Sequence, residues 1–286
     1  MRGTYSAGNR IGEYVVLEDD CRHGAYCEVY KAQRHKKKGS PVAVKVLRHG
    51  CDESYLRREV AALSRLTGHP NIVTLVESNV SHDIPHVVMP YVHKTLADYH
   101  TLADYRPPDV ATALSLMTGV LEGIKHAHAH GVVGLDLKLQ NILVDGSTPL
   151  LSDFNVSDVK NLSGSLGSFV AGGTVPYIAP EVLRGEKQTP VTDIYCTGLL
   201  FYELLTGRVA HFSAPDIACV RADVSPWIAD CVYKACDDVP ARRYRSAHAF
   251  KNALDQGARK SSRHKTVRDL PFFSWIAKLC LARKYP

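Results

Sequence analysis

No stretch of this 286-residue chain approaches the ~20 consecutive apolar residues that a membrane-spanning helix requires. The opening residues, Met-Arg-Gly-Thr-Tyr-Ser-Ala-Gly, lack the apolar core of a secretory signal, and a cytoplasmic location is expected. No Cys-x-x-Cys pair occurs among the eight cysteines, scattered from Cys21 to Cys280. That spacing indicates neither a zinc site nor a disulfide framework, and free thiols in a reducing compartment are expected. Repetition is nearly absent: Thr-Leu-Ala-Asp-Tyr at 95–99 recurs once at 101–105, and two copies make no solenoid. His126, His128 and His130 alternate in a helical stretch, where a spacing of two turns side chains about 200° apart and builds no ligand face.

An apolar content of 45% suffices for a large core in one or two packed lobes. The net charge of +6 is unevenly placed. Residues 257–286 hold eight Lys/Arg against the single acid Asp269, leaving 27 basic and 28 acidic residues in 1–256. A near-neutral body with a basic tail argues against a nucleic-acid-binding domain and for an attachment role in the tail.

Residues 14–17, 28–33 and 42–47 are β-branched or aromatic between turn-forming segments, which predicts an antiparallel sheet. Apolar residues Leu56, Val60, Leu63 and Leu66 predict a helix over 52–67, closed by Gly68. Residues 87–92 read as a buried strand running into a connector, and 110–130, 193–206 and 227–236 as helices. The order is a small β-rich lobe followed by a larger helical one, an α+β chain.

Four short blocks follow one another: Val-Ala-Val-Lys at 42–45, Gly-Leu-Asp-Leu-Lys-Leu-Gln-Asn at 134–141, Asp-Phe-Asn at 153–155 and Gly-Thr-Val-Pro-Tyr-Ile-Ala-Pro-Glu at 173–181. Each alone is a weak signal, but their order and spacing over roughly residues 13–256 resemble the eukaryotic-type (Hanks-type) Ser/Thr protein kinase family. The resemblance implies the two-lobed kinase fold, with a small lobe over 1–90, a large lobe over 91–256 and a basic amphipathic tail over 257–286. It also implies ATP and Mg2+ as cofactors and a protein as substrate.

Phosphoryl transfer needs a cradle for the triphosphate, cations to neutralise it and a carboxylate to orient the attacking hydroxyl. By resemblance, Lys45 holds the α- and β-phosphates and Glu59 pairs with it. Asp136 orients the substrate hydroxyl, Lys138 reaches the γ-phosphate, and Asn141 and Asp153 are the magnesium ligands. Adenine is expected at the connector after Met89, on the backbone of Pro90 and Val92, between Val29, Ala43 and Leu143. Proline lacks an N–H but keeps its carbonyl, so Pro90 preserves that contact. Glu181 and Arg243 resemble the family's buried pair, and Asp193 the aspartate that braces the catalytic loop. Lys138 with Thr174 resembles Ser/Thr rather than Tyr specificity. Leu-Leu-Thr-Gly-Arg at 204–208 resembles bacterial members.

Several positions depart from the family pattern. The phosphate-covering loop reads Arg22-His23-Gly24-Ala25-Tyr26-Cys27-Glu28-Val29 and keeps only the middle glycine, Gly24. Side chains at Arg22 and Cys27 are expected to restrict its approach to the phosphates. Cys27 is either a reactive thiol near cations or a small-residue replacement. Gly134-Leu135 replaces His-Arg before the catalytic aspartate, so this is a non-RD variant. Without that arginine, Ser163, Ser165 and Ser168 need not be activating phosphosites. Without the histidine, a void or a filled-in rearrangement is expected beside Phe154.

In the tail, Phe272, Trp275, Ile276 and Leu279 form an apolar stripe beside Lys278, Arg283 and Lys284. An anionic membrane surface and the kinase body itself are both candidate partners for that stripe. The alternative to an enzyme is a pseudokinase, a nucleotide-binding or scaffold module, which the altered loop and Gly134-Leu135 favour and the intact polar residues oppose.

Overall fold

The computed structural model describes residues 3–36, 39–81, 83–100, 107–154, 177–209 and 215–268. Strands β1 (Arg10–Ile11), β2 (Tyr14–His23), β3 (Cys27–Arg34) and β4 (Val42–Leu47) follow one another as antiparallel neighbours. With β5 (Glu77–Asn79) and β6 (His86–Pro90) they form a six-stranded sheet in the order β1-β2-β3-β4-β6-β5. Strand β2 runs six residues beyond the predicted 14–17, because a register shift between Val16 and Cys21 lets its acidic middle bulge before pairing resumes toward the turn.

One helix covers this sheet, α1 (Ser54–Arg65), with Leu56, Glu59, Ala62 and Leu63 buried. It starts later than predicted because Asp52 accepts the Ser54 amide at 2.9 Å in a turn outside the helix. Below it, β7 (Lys94–Thr95), β8 (Ile142–Asp145) and β9 (Thr148–Leu151) make a three-stranded sheet. Leu151 exchanges backbone bonds with Asn71 and Val73 at 2.9 Å, stitching the two halves together. In the first copy of the repeat, Thr95 ends β7 and donates its amide and hydroxyl to Asp98. The second copy lies outside the described residues.

The larger half is built from α2 (Val110–Ala129), α3 (Pro180–Leu183), α4 (Pro190–Thr206), α5 (Ile217–Val220), α6 (Pro226–Ala235) and α7 (Ala247–Arg268). Asp109 caps α2 by accepting the Thr112 amide, and a Thr189–Thr192 capping box starts α4. Gly207, at φ 70°, ends α4. Helix α4 is buried along most of its length and is the axis of this half. His126 stacks with His69 and His130 at centroid distances of 4.6 and 4.2 Å, while His128 turns to Asp193, so the three alternating histidines do not converge.

Residue 257, the expected start of the tail, lies inside α7. A Cβ on Gly257 would stand 2.1 Å from the Trp227 ring, so this stretch of helix packs closely on α6. The stripe from Phe272 to Leu279 lies outside the described residues. No helix among the described residues is long and apolar enough to cross a membrane.

Arg243 locks α3 to the end of the fold, donating to both oxygens of Glu181 at 2.7 Å with both residues buried. Burial raises the Glu181 pKa, but the Arg243 bonds and neighbouring donors outweigh it and hold the carboxyl below the usual range. A carboxylate with a lowered folded pKa contributes stability above its unfolded value and loses it as pH falls through the folded one. Arg243→Leu is expected to cost about 3–5 kcal/mol in urea unfolding at pH 7, and less as pH falls and Glu181 protonates.

Candidate active site

Alternation along β4 puts Ala43 and Lys45 on one face, and Val29 is the cross-strand partner of Lys45 on β3. Lys45 is 5% exposed and its Nζ lies 2.7 Å from Glu59 Oε2, 2.9 Å from Glu59 Oε1 and 3.0 Å from Asp153 Oδ1. Burial disfavours the ammonium, yet the Glu59 and Asp153 carboxylates outweigh it and hold the lysine well above its usual range. Tyr55, in the first turn of α1, lies 5.7 Å from the same Nζ. Strand, helix and the segment after β9 thus meet at one buried cation.

The loop before β8 hangs from α4. Asp193 accepts the backbone N–H of Gly134 at 3.1 Å and of Leu135 at 3.0 Å, with His128 Nε2 at 2.7 Å. Burial raises the Asp193 pKa against the pull of these donors. Asp136 pairs with Lys138 at 2.7 Å, and Asn141 Nδ2 donates to the carboxylate and the carbonyl of Asp136 at 2.9 Å each. The Asn141 carbonyl accepts from Ser152 N at 3.0 Å and Oγ at 2.8 Å. Ser152 precedes Asp153, so the Asp136 group and the Lys45 group are joined through two residues. Asp153 holds φ 61°, a left-handed conformation unusual for a residue with a side chain.

Gln188 takes the space beside Gly134, while a small void remains beside Phe154. The Gly134 φ is 74°, which disfavours any side chain, and Gln188 Oε1 stands 2.3 Å from where a Cβ would be, so a histidine would have to displace that glutamine end. A small cavity of about 10 Å³, near the size of one water, remains between the loop and Phe154. Leu135 is buried.

The turn between β2 and β3 is held by side chains as well as by the Gly24 backbone. Gly24 N donates to Cys27 O at 2.8 Å, Tyr26 packs on Tyr55 at 4.6 Å, and Arg22 donates to the His93 carbonyl at 2.5 Å. Cys27 is buried, and burial pushes its thiol up to about 12 despite the nearby Lys45 charge, so the small-residue reading prevails. Half-buried Val29 and Ala43 face this region from the sheet, and Leu143 lies on β8 opposite Thr95. Pro90 ends β6 beside Val42, and Val92 lies in the connector to β7.

His128, Ser152, Gln188 and the Tyr26–Tyr55 contact escaped the sequence reading. The alternation of His128 with its neighbours was visible, but its partner lies 65 positions away. The donor chemistry fits a hard divalent cation: a carboxylate at Asp153, and an amide at Asn141 whose N–H groups are engaged by Asp136 and whose oxygen is left to coordinate.

The sequence model of the protein kinase domain matches residues 21–251, and the chain belongs to that family. It is 35% identical over 227 residues to the serine/threonine-protein kinase PrkC of Bacillus subtilis, covering 72% of this chain and 35% of that protein. A probable serine/threonine-protein kinase of Encephalitozoon cuniculi is 31% identical over 95% of this chain and 50% of its own length. The chain thus spans a third to a half of the length of these curated relatives. Among solved structures, the Mycobacterium tuberculosis PknI kinase domain superposes with a TM-score of 0.69 at 21% identity, over 90% of this chain and all of that one, a likeness of fold.

Because Glu59 is fully buried, Lys45→Met leaves its charge without the ammonium. Urea unfolding is expected to show a loss of about 3 kcal/mol or more, much of it recovered by adding Glu59→Gln. Equal midpoints for wild type and Lys45→Met would show that the ion cluster does not organise this lobe interface.

Proposed function

We propose that the chain is an ATP-dependent Ser/Thr protein kinase that transfers the γ-phosphoryl group of ATP to Ser or Thr hydroxyls of protein substrates. The observation that carries this reading is the joined pair of clusters, Lys45–Glu59–Asp153 and Asp136–Lys138–Asn141, tied by Ser152. Lys45, fixed by Glu59, holds the α- and β-phosphates. Asp136 is the half-exposed carboxylate that orients the attacking hydroxyl and takes up its proton, and Lys138 neutralises the γ-phosphoryl oxygens. Asn141 and Asp153 would hold Mg2+, which supplies charge neutralisation on the phosphates when bound. Val29, Ala43 and Leu143 offer apolar surfaces to the adenine ring, with the backbone of Pro90 and Val92 as its hydrogen-bonding edge, and Gly24 lets the turn lie over the phosphates. The same clusters speak against a pseudokinase, since each polar part of the machinery is present and paired.

Incubation with γ-labelled ATP, magnesium and a generic basic protein is expected to label phosphoserine or phosphothreonine, and Asp136→Asn to lower the rate by at least ~10²-fold. Equal labelling by the two proteins would overturn the assignment.

The tail is proposed to attach the kinase to an anionic surface, on the strength of its net charge of +7 over 257–286 and its aromatic stripe. Because α7 runs to Arg268, the informative truncation falls after that residue rather than at 257. The full chain is expected to cosediment with anionic vesicles less as salt rises, and the truncated chain, which loses the aromatic stripe but keeps five of the eight basic residues, markedly less than the full one. A full chain that stays in solution at low salt, with a markedly less stable truncation, would assign the tail to the fold.

A further inference from the structure

The outer face of the β2–β3 hairpin carries a cluster that the kinase machinery does not use. Cys21 and His23 are two apart on β2 and share a face, and Glu28 on β3 is the direct cross-strand partner of His23. One donor atom from each, a thiol, an imidazole nitrogen and a carboxylate oxygen, lie within 4.8 Å of one another. Cys21 Sγ is 3.3 Å from His23 Nε2 and 4.0 Å from Nδ1, and Nδ1 is 3.6 Å from Glu28 Oε1. Donors at about 2.0–2.3 Å around a tetrahedral ion stand roughly 3.3–3.7 Å apart, so small side-chain rotations suffice to surround one.

The surroundings prepare the site. Glu28 accepts the Thr4 amide at 3.0 Å and the Tyr30 hydroxyl, which fix its carboxylate from behind. Burial raises the Glu28 pKa, but these donors and Arg48 prevail and keep it ionised. A cation already occupies the fourth side: Arg48 reaches His23 Nδ1 at 3.1 Å and Glu28 Oε1 at 3.7 Å. Its hold is incomplete, since Arg48 Nε is buried without a hydrogen-bond partner.

We propose that Cys21, His23 and Glu28 form a binding site for a borderline-soft divalent ion of the zinc class, with the ion displacing Arg48 and a water completing the tetrahedron. A thiolate, an imidazole and a carboxylate select such an ion over Mg2+. Binding releases the Cys21 proton to solvent and ties β2 to β3 across the turn that contains Gly24. Cysteine spacing alone hides the site, because its donors come from a strand alternation and a cross-strand pair. The inference does not depend on phosphotransfer, since its readout is metal binding.

The test is titration of the full chain, thiols reduced, with Co2+ in excess Mg2+, followed by competition with Zn2+. The expected result is one equivalent of Co2+ with a thiolate-to-cobalt charge-transfer band, displaced by Zn2+. Cys21→Ser should abolish the band, and His23→Ala, at an exposed position, should weaken binding by roughly tenfold or more. At a fixed concentration, Zn2+ should raise the melting temperature of the wild type clearly more than that of His23→Ala. Absence of the band, or a band and Zn2+ shift unchanged in both variants, would overturn the proposal and leave an arginine–carboxylate network only.

Discussion

A buried ammonium organises this molecule. Lys45 cannot remain charged at 5% exposure unless carboxylates surround it, and the two that do so come from α1 and from the segment after β9. Meeting that requirement fixes the helix against the sheet and the large half against the small one. Breaking the contact would leave the Glu59 charge in the interior without its ammonium, so the arrangement is held by the cost of its absence as much as by its own attraction. Stability and the proposed chemistry therefore draw on the same three side chains.

A second anchor, Asp193, works in the same way from the opposite direction. It has almost no contact with solvent, and three donors converge on it, two of them backbone amides of Gly134 and Leu135. The loop that carries Asp136 is thereby held to the central helix without a side chain from position 134 or a guanidinium at position 135. Family members that carry an arginine there use it to clamp a phosphorylated segment. Here Leu135 is buried and Gln188 fills the space beside Gly134, so the loop is braced from within.

Much of the fold was legible because its punctuation is local. Helix α2 was expected over 110–130 and spans Val110–Ala129, with Asp109 capping it, and Gly207 ends α4 one residue after the predicted stop. Strand β4 matches its prediction because Val42–Leu47 is short, apolar and bounded by turns. The length of β2 was not legible, since a bulge interrupts the alternation that sequence reading relies on. The run of α7 past residue 257 is hidden for a related reason: the charge boundary there is not a structural one, because Gly257 packs on Trp227. In the site, Lys45, Glu59 and Asp153 were drawn from three separate motifs, and they meet in one ion cluster. What replaces the missing loop glycines was not readable, because the Arg22–His93 and Tyr26–Tyr55 contacts join residues far apart in the chain.

If Lys45 and Asp193 assemble the proposed transfer machinery within the chain itself, no phosphate clamped at position 135 is needed. The most direct measurement is the time course of labelling of a basic protein by enzyme freshly treated with phosphatase, with Ser163, Ser165 and Ser168 replaced by alanine in a parallel sample. Linear progress from the first turnover at nearly the untreated rate is expected in both samples. A lag that shortens with prior autophosphorylation, or a large loss of rate in the alanine variant, would contradict it.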